Sequence, residues 1–212
     1  MDRYAIIIAG PSGVGKTTVA DRLIEELGTL EMSRSATTRP IRYDGRENEY
    51  IYLGREEFLG AIAAGDMAEH AEYGGCLYGT RKSELERIFS LGKQPILVLE
   101  YNGVLSLKQS LDYPVFAFYV YESLDAIRRR LVLRDGADSE KVEKRCSQNA
   151  CDYRILPTIT ERFDAFVENN DLDICIATLK EMIAQLREGR EVMSGEEKLA
   201  VANALSSEAT LK

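Results

Sequence analysis

Residues 3–17 read Arg3-Tyr4-Ala5-Ile6-Ile7-Ile8-Ala9-Gly10-Pro11-Ser12-Gly13-Val14-Gly15-Lys16-Thr17, and this stretch decides the fold. Arg3–Ala9 is a short β-branched apolar run closed by a glycine, the pattern of a buried strand. Thr17–Leu27 reads as a helix with Val19, Ala20, Leu23, Ile24 and Leu27 on one face, and Gly28 supplies its stop. Between them, Gly10 to Thr17 form a complete GxxxxGK[ST] motif in the strand–loop–helix context it requires. Glycines let backbone N–H groups converge on phosphate oxygens, and the helix N-terminus adds partial positive charge. Gly10, Pro11, Ser12, Gly13, Val14, Gly15, Lys16, Thr17 and Thr18 are therefore candidate contacts to a nucleoside triphosphate. Lys16 would reach the terminal phosphates, and the Thr17 hydroxyl would ligate Mg²⁺.

Outward from this loop, apolar strands alternate with helices. Gln94–Glu100, Pro114–Tyr121 and Ala165–Glu168 read as strands, and Lys82–Ser90, Leu124–Leu133, Ser139–Tyr153 and Leu172–Glu188 as helices. This rhythm predicts an α/β fold: a parallel β-sheet core carrying the phosphate loop, flanked by helices. Residues 34–85 break it, with a turn-rich stretch at 29–54, a short helix at Glu56–Ala64 and a hairpin over Met67–Thr80, and so read as an inserted lobe. Residues 189–212 read as an appended tail, helical or mobile, with a capping box at Ser194 and Glu197.

The 212 residues are 45% hydrophobic, enough for a real core, and no apolar run reaches the roughly 18 residues of a membrane span. Four cysteines without CxxC spacing imply reduced thiols and a cytoplasmic protein. A net charge of −8 argues against nonspecific binding to nucleic acid or to an acidic membrane. The single histidine, His70, excludes a multi-histidine metal site. Arginines nevertheless cluster, at Arg39, Arg42 and Arg46 and again at Arg128, Arg129, Arg130, Arg134 and Arg145, which points to small anionic ligands. The sequence leaves the oligomeric state open.

The segment Ser35-Ala36-Thr37-Thr38-Arg39-Pro40-Ile41-Arg42, followed by Tyr50, Glu69, Tyr78-Gly79-Thr80 and Asn169-Asn170-Asp171-Leu172, resembles the guanylate kinase family over about residues 4–188. The resemblance implies a phosphate-loop core, a nucleoside-monophosphate lobe at about 34–85 and a helical lid at about 130–150. It implies ATP and GMP as substrates and Mg²⁺ as cofactor. Arg39, Arg42, Tyr50 and Tyr78 match positions that hold the acceptor phosphate, and Ser35, Glu69 and Thr80 match positions that read guanine. Arg130, Arg134 and Arg145 match lid arginines that close over the transferring phosphoryl group. Lys16 joins them as a catalytic residue, and Asn169 lies beside the adenine.

Two positions depart from the family pattern. Its Asp-x-Asp at the end of the second core strand is here Val98-Leu99-Glu100, so Glu100 is left to serve the GMP site and, with Thr17, the metal, directly or through water. Asp135 follows Arg134 where the family has glycine, and the loop between Arg42 and Tyr50 is one residue shorter. The competing expectations are a kinase of another phosphorylated small molecule, such as a ribose bisphosphate, and a guanylate-kinase-like protein-interaction module.

Overall fold

The computed structural model describes residues 3–41, 50–73, 75–135 and 139–211. Arg42 and Arg46, named above, lie outside them, as does the shortened loop.

Five strands form a fully parallel sheet in the order β2-β7-β1-β8-β9. They are β1 (Ala5–Ala9), β2 (Leu30–Met32), β7 (Gln94–Val98), β8 (Val115–Tyr121) and β9 (Ala165–Glu168). Every residue of β1 is buried, as expected of a strand with sheet on both edges and helices on both faces. Helix α1 (Lys16–Leu27) buries Val19, Ala20 and Leu23 and half-buries Ile24 and Leu27, the face read from the sequence. It ends where Gly28 turns to φ 66° and donates its N–H to Ile24 O.

A second sheet, in the order β4-β3-β6-β5, forms the inserted lobe. It comprises β3 (Ser35–Thr37), β4 (Tyr50–Tyr52), β5 (Met67–Tyr73) and β6 (Cys76–Arg81), with α2 (Arg55–Ala63) setting Phe58 into a small core beside Ala36 and Leu77. Helix α3 (Lys82–Ser90) returns the chain to the main core, where Leu85 and Ile88 are buried.

The structure differs from the sequence reading in two places. The stretch read as turn-rich holds β2, β3 and β4, each three residues long and too short to display a period. Residues 101–110 form α4 (Tyr101–Ser110), whose Gly103 in the first turn obscures the helical signal.

Helices α5 (Leu124–Asp135) and α6 (Ser139–Ile155) span the stretch of about 130–150 where the resemblance implies a lid, and α7 (Leu172–Arg187) packs on the core. The tail carries α8 (Gly195–Thr210), started by a formed Ser194/Glu197 capping box and burying Ala202, Leu205 and Ala209 in the main core. Arg154 of α6 donates to Ala209 O at 2.8 Å, and Glu208 accepts from the Leu124 N–H at 2.9 Å, so α8 touches the root of each lid helix. Among the described residues, no helix is long and apolar enough to cross a membrane.

Candidate active site

The phosphate loop leaves β1 at the carboxyl edge of the parallel sheet, where open α/β folds place ligands. Gly15, the residue before α1, has φ 102°, and a Cβ there would come within 2.8 Å of Asn169 Nδ2. The position therefore requires glycine twice over, for its dihedral and for its space. No acidic residue lies in the first turn of α1, so its N-terminal positive potential is not offset locally. Thr17 and Thr18 are exposed there.

Lys16 curls back over the loop, its Nζ donating to Gly10 O at 2.7 Å and Pro11 O at 3.1 Å. Burial holds its amine below the ordinary lysine pKa, against the pull of Glu100 and Asp152 and with help from the Arg134 charge. Val14 O accepts from Asn169 Nδ2 at 2.8 Å and from Arg130 Nη1 at 3.0 Å, while Arg130 Nη2 donates to Asn169 O at 2.7 Å. Arg130 thus ties α5 to the loop and to the end of β9. Arg128, from the same arginine cluster, pairs instead with Glu143 of α6. Arg134 is exposed near the end of α5, and Arg145 is half-buried on α6.

On the acceptor side, strand register does the assembling. Ser35 stands opposite Tyr50, and Thr37 opposite both Tyr52 and Tyr78. The Tyr50 and Tyr78 rings meet edge-on at 6.5 Å, and the Arg39 guanidinium lies 4.9 Å over the Tyr50 ring. Glu69 and Thr80 are cross-strand partners just past a β-bulge, and Thr80 Oγ1 donates to Glu69 Oε1 at 2.8 Å. The two side chains are 8% and 1% exposed. Burial raises the Glu69 pKa, and the Thr80 hydrogen bond only partly offsets this.

Helix α4 joins the two halves. Glu100 caps its start, immediately beyond β7, and is exposed. A Cβ on Gly103 would lie 3.0 Å from Glu69 Oε2, so the first turn of α4 backs directly onto that carboxylate. Val98 is half-buried against the main core, an apolar role for the position that departs from the family pattern. Among the described residues no cluster of three or more His, Cys, Asp or Glu could hold a metal by itself.

Three positions that touch these groups escaped the sequence reading: Gly103, Asp152 and Asn149. Asp152 is buried on α6, where burial and the Glu100 charge raise its pKa. Asn149, one turn earlier, bonds Ser12 of the loop. Gly103 follows Glu100 by three residues and Asn149 follows Arg145 by four, yet no local pattern marks any of the three.

A protein-family model described as Guanylate kinase matches residues 2–186. The chain is 33% identical over 183 residues to a guanylate kinase of Sus scrofa, covering 85% of this chain and 91% of that protein. It is 35% identical over 181 residues to a guanylate kinase of Desulfitobacterium hafniense, covering 84% and 88%. Its fold is similar to the crystal structure of guanylate kinase from Anaplasma phagocytophilum, with a TM-score of 0.60 and 25% identity over 90% of this chain and 88% of that one. The phosphate loop, the inserted lobe with its paired Glu69 and Thr80, and these matches over most of the length together establish that the chain belongs to the guanylate kinase family.

Proposed function

We propose that the protein transfers the γ-phosphoryl group of ATP to GMP, giving ADP and GDP. The observation that carries this reading is the Glu69 carboxylate, buried, bonded by Thr80 and backed by α4. Guanine presents N1–H and N2–H₂ as adjacent donors, and one carboxylate accepts from both. Adenine presents an acceptor at N1, which would repel the carboxylate and leave it unpaired. Ser35 and Thr80 complete the base-reading set. Arg39, Tyr50 and Tyr78, with Arg42, suit a dianionic monophosphate.

On the donor side, Lys16 exchanges its two loop carbonyls for phosphate oxygens, and the exposed start of α1 receives the same phosphates. The adenine lies beside Asn169 and the base of the lid. A phosphate oxygen of GMP attacks the γ-phosphorus in line, and the bond to the β-phosphate oxygen of ADP breaks, with no covalent intermediate. Arg134 and Arg145 close on the oxygens where charge spreads in the transition state. The residues fit Mg²⁺: the Thr17 hydroxyl is exposed at the start of α1, and the exposed Glu100 is near enough for its charge to act on Lys16 of the loop. When bound, Mg²⁺ would neutralise charge between the terminal phosphates. Four free thiols support a cytoplasmic setting.

The test is ADP release from Mg·ATP with GMP, AMP, UMP, CMP and a ribose bisphosphate as separate acceptors. ADP formation with GMP is the expected result. Turnover with another acceptor alone overturns the guanine assignment, and GMP binding without any turnover points to an interaction module.

A further inference from the structure

We infer that Asn149 is a positioning residue that locks the lid to the phosphate loop and sets the pivot about which Arg145 approaches the reaction. The inference rests on the reading of the loop as the donor-nucleotide site. Asn149 lies in the middle of α6 and is 1% exposed. Its Oδ1 accepts from the Ser12 N–H at 2.9 Å, and its Nδ2 donates to Ser12 O at 2.9 Å. The side-chain amide thereby exchanges two hydrogen bonds with one residue, as paired residues of antiparallel strands do. Asn and Gln alone carry an amide that both donates and accepts in this way, and Gln is a methylene too long for the same spacing.

Ser12 is a loop residue whose peptide orientation bears on how the loop N–H groups converge. The neighbouring Val14 carbonyl is fixed from α5 by Arg130. Each lid helix thus holds one carbonyl of the loop, α6 through Asn149 and α5 through Arg130. On α6, the segment after Asn149 is further anchored by the Arg154–Ala209 bond to α8. Arg145 lies about one turn before Asn149, on the side of this anchor that leads to the lid tip. The clip therefore separates the half of the helix fixed to the loop and to α8 from the half that carries Arg145 and is paired with α5 through Glu143 and Arg128, and it holds the loop in register with that arginine. Without it, the Ser12 N–H and C=O lose both partners in a part-buried place.

The measurements are steady-state kinetics of N149A and N149L, and hydrogen exchange at the Ser12 amide of the unmutated, nucleotide-free protein. N149L keeps the volume and removes both hydrogen bonds. Both variants are expected to lower kcat roughly tenfold or more with the KM for GMP within about twofold, since the acceptor lobe does not touch this contact. The Ser12 amide of the parent is expected to be protected from exchange before any nucleotide is added. N149L activity within twofold of the parent, or loss of melting temperature with unchanged turnover per folded molecule, reduces Asn149 to packing and overturns the inference. If neither variant folds, the Ser12 amide decides: exchange at an open-loop rate in the parent overturns it. An inactive parent would instead break the proposed function, leaving the Ser12 amide to test the clip by itself.

Discussion

In the phosphate loop, the Lys16 ammonium, the Ser12 peptide and the Val14 carbonyl all have protein partners before any ligand arrives. In the inserted lobe, the Glu69 carboxylate is buried against the neutral Thr80, whose hydroxyl donates to it, and Arg39 Nε has no hydrogen-bond partner among the described residues. The first region is satisfied internally, and the second holds desolvated charge. A ligand entering the loop must replace existing hydrogen bonds, so the net gain there is modest and the value of the site lies in its geometry. A ligand entering the lobe meets polar groups that water reaches poorly, and the penalty for a mismatched base is correspondingly large. On the proposed function, selection of the acceptor belongs to the lobe and stabilisation of the transferring group to the loop.

Two substitutions break this division at its ends. Lys16→Ala should give the largest effect, a fall in kcat of about 10³-fold or more, because no other group on the loop supplies a mobile cation. The fold should survive, since Lys16 contributes hydrogen bonds to two loop carbonyls rather than to the core; near-parental turnover would show that the loop is not the donor site. Glu69→Gln should lower kcat/KM for GMP by about 10²- to 10⁴-fold while leaving ATP binding intact. The stability effect runs the other way. A carboxyl whose folded pKa is raised holds its proton more tightly when folded, so the ionised form weakens the fold at neutral pH. Glu69→Gln should therefore melt no lower than the parent at pH 7, with any gain shrinking as pH falls from the raised folded value towards the ordinary glutamate value and absent below it. In the parent, the KM for GMP should begin to rise on acidification at a higher pH than an ordinary glutamate would dictate.

The same contrast explains what the sequence disclosed. The loop is local: eight consecutive residues between a wholly buried strand and an amphipathic helix, each signal within reach of the next. The lobe is assembled by register between strands of three to seven residues, and Ser35, Tyr50, Glu69, Tyr78 and Thr80 became readable only through resemblance to a family. Asn149 marks the far limit of such reading. Its partner is 137 residues away, and an amide beside Gln148 on a mostly polar helix has no periodic or motif signature. Gly103 even misled, because the glycine that hides α4 from a propensity argument is the one that leaves room for Glu69.

Gly103→Ala sharpens the comparison more gently. A Cβ 3.0 Å from Glu69 Oε2 must displace the carboxylate by a few tenths of an ångström. The KM for GMP should rise about three- to tenfold with kcat and the KM for ATP little changed. An equal rise in both KM values would mean that α4 shifts as a body and that Glu100 moves with it.

The smallest effect on activity is expected at the joint between the two regions. Glu84, at the start of α3, is 3% exposed and accepts from Arg34 Nε at 3.2 Å and Arg87 Nε at 2.8 Å. Arg34 is the residue just before β3, so this pair fastens the lobe to the core. Burial pushes the Glu84 carboxyl up, but the hydrogen bonds from Arg87 and Arg34 outweigh it and bring the pKa down to about 2. A depressed carboxyl stabilises the fold above its unfolded value of 4.5 and loses that contribution as pH falls towards about 2. Glu84→Gln should destabilise by roughly 1–3 kcal/mol at pH 7, less than a fully buried pair would, because both arginines can still reach water. The gap in melting temperature between parent and variant should be constant above about pH 6, narrow through pH 4 and nearly close by pH 2. Turnover per folded molecule should stay within about threefold of the parent, since Glu84 touches neither the base-reading carboxylate nor the loop. A pH-independent gap would mean that Glu84 holds the joint by shape alone, and a large loss of turnover at full folding would mean that the angle between lobe and core, rather than the chemistry of either, limits the reaction.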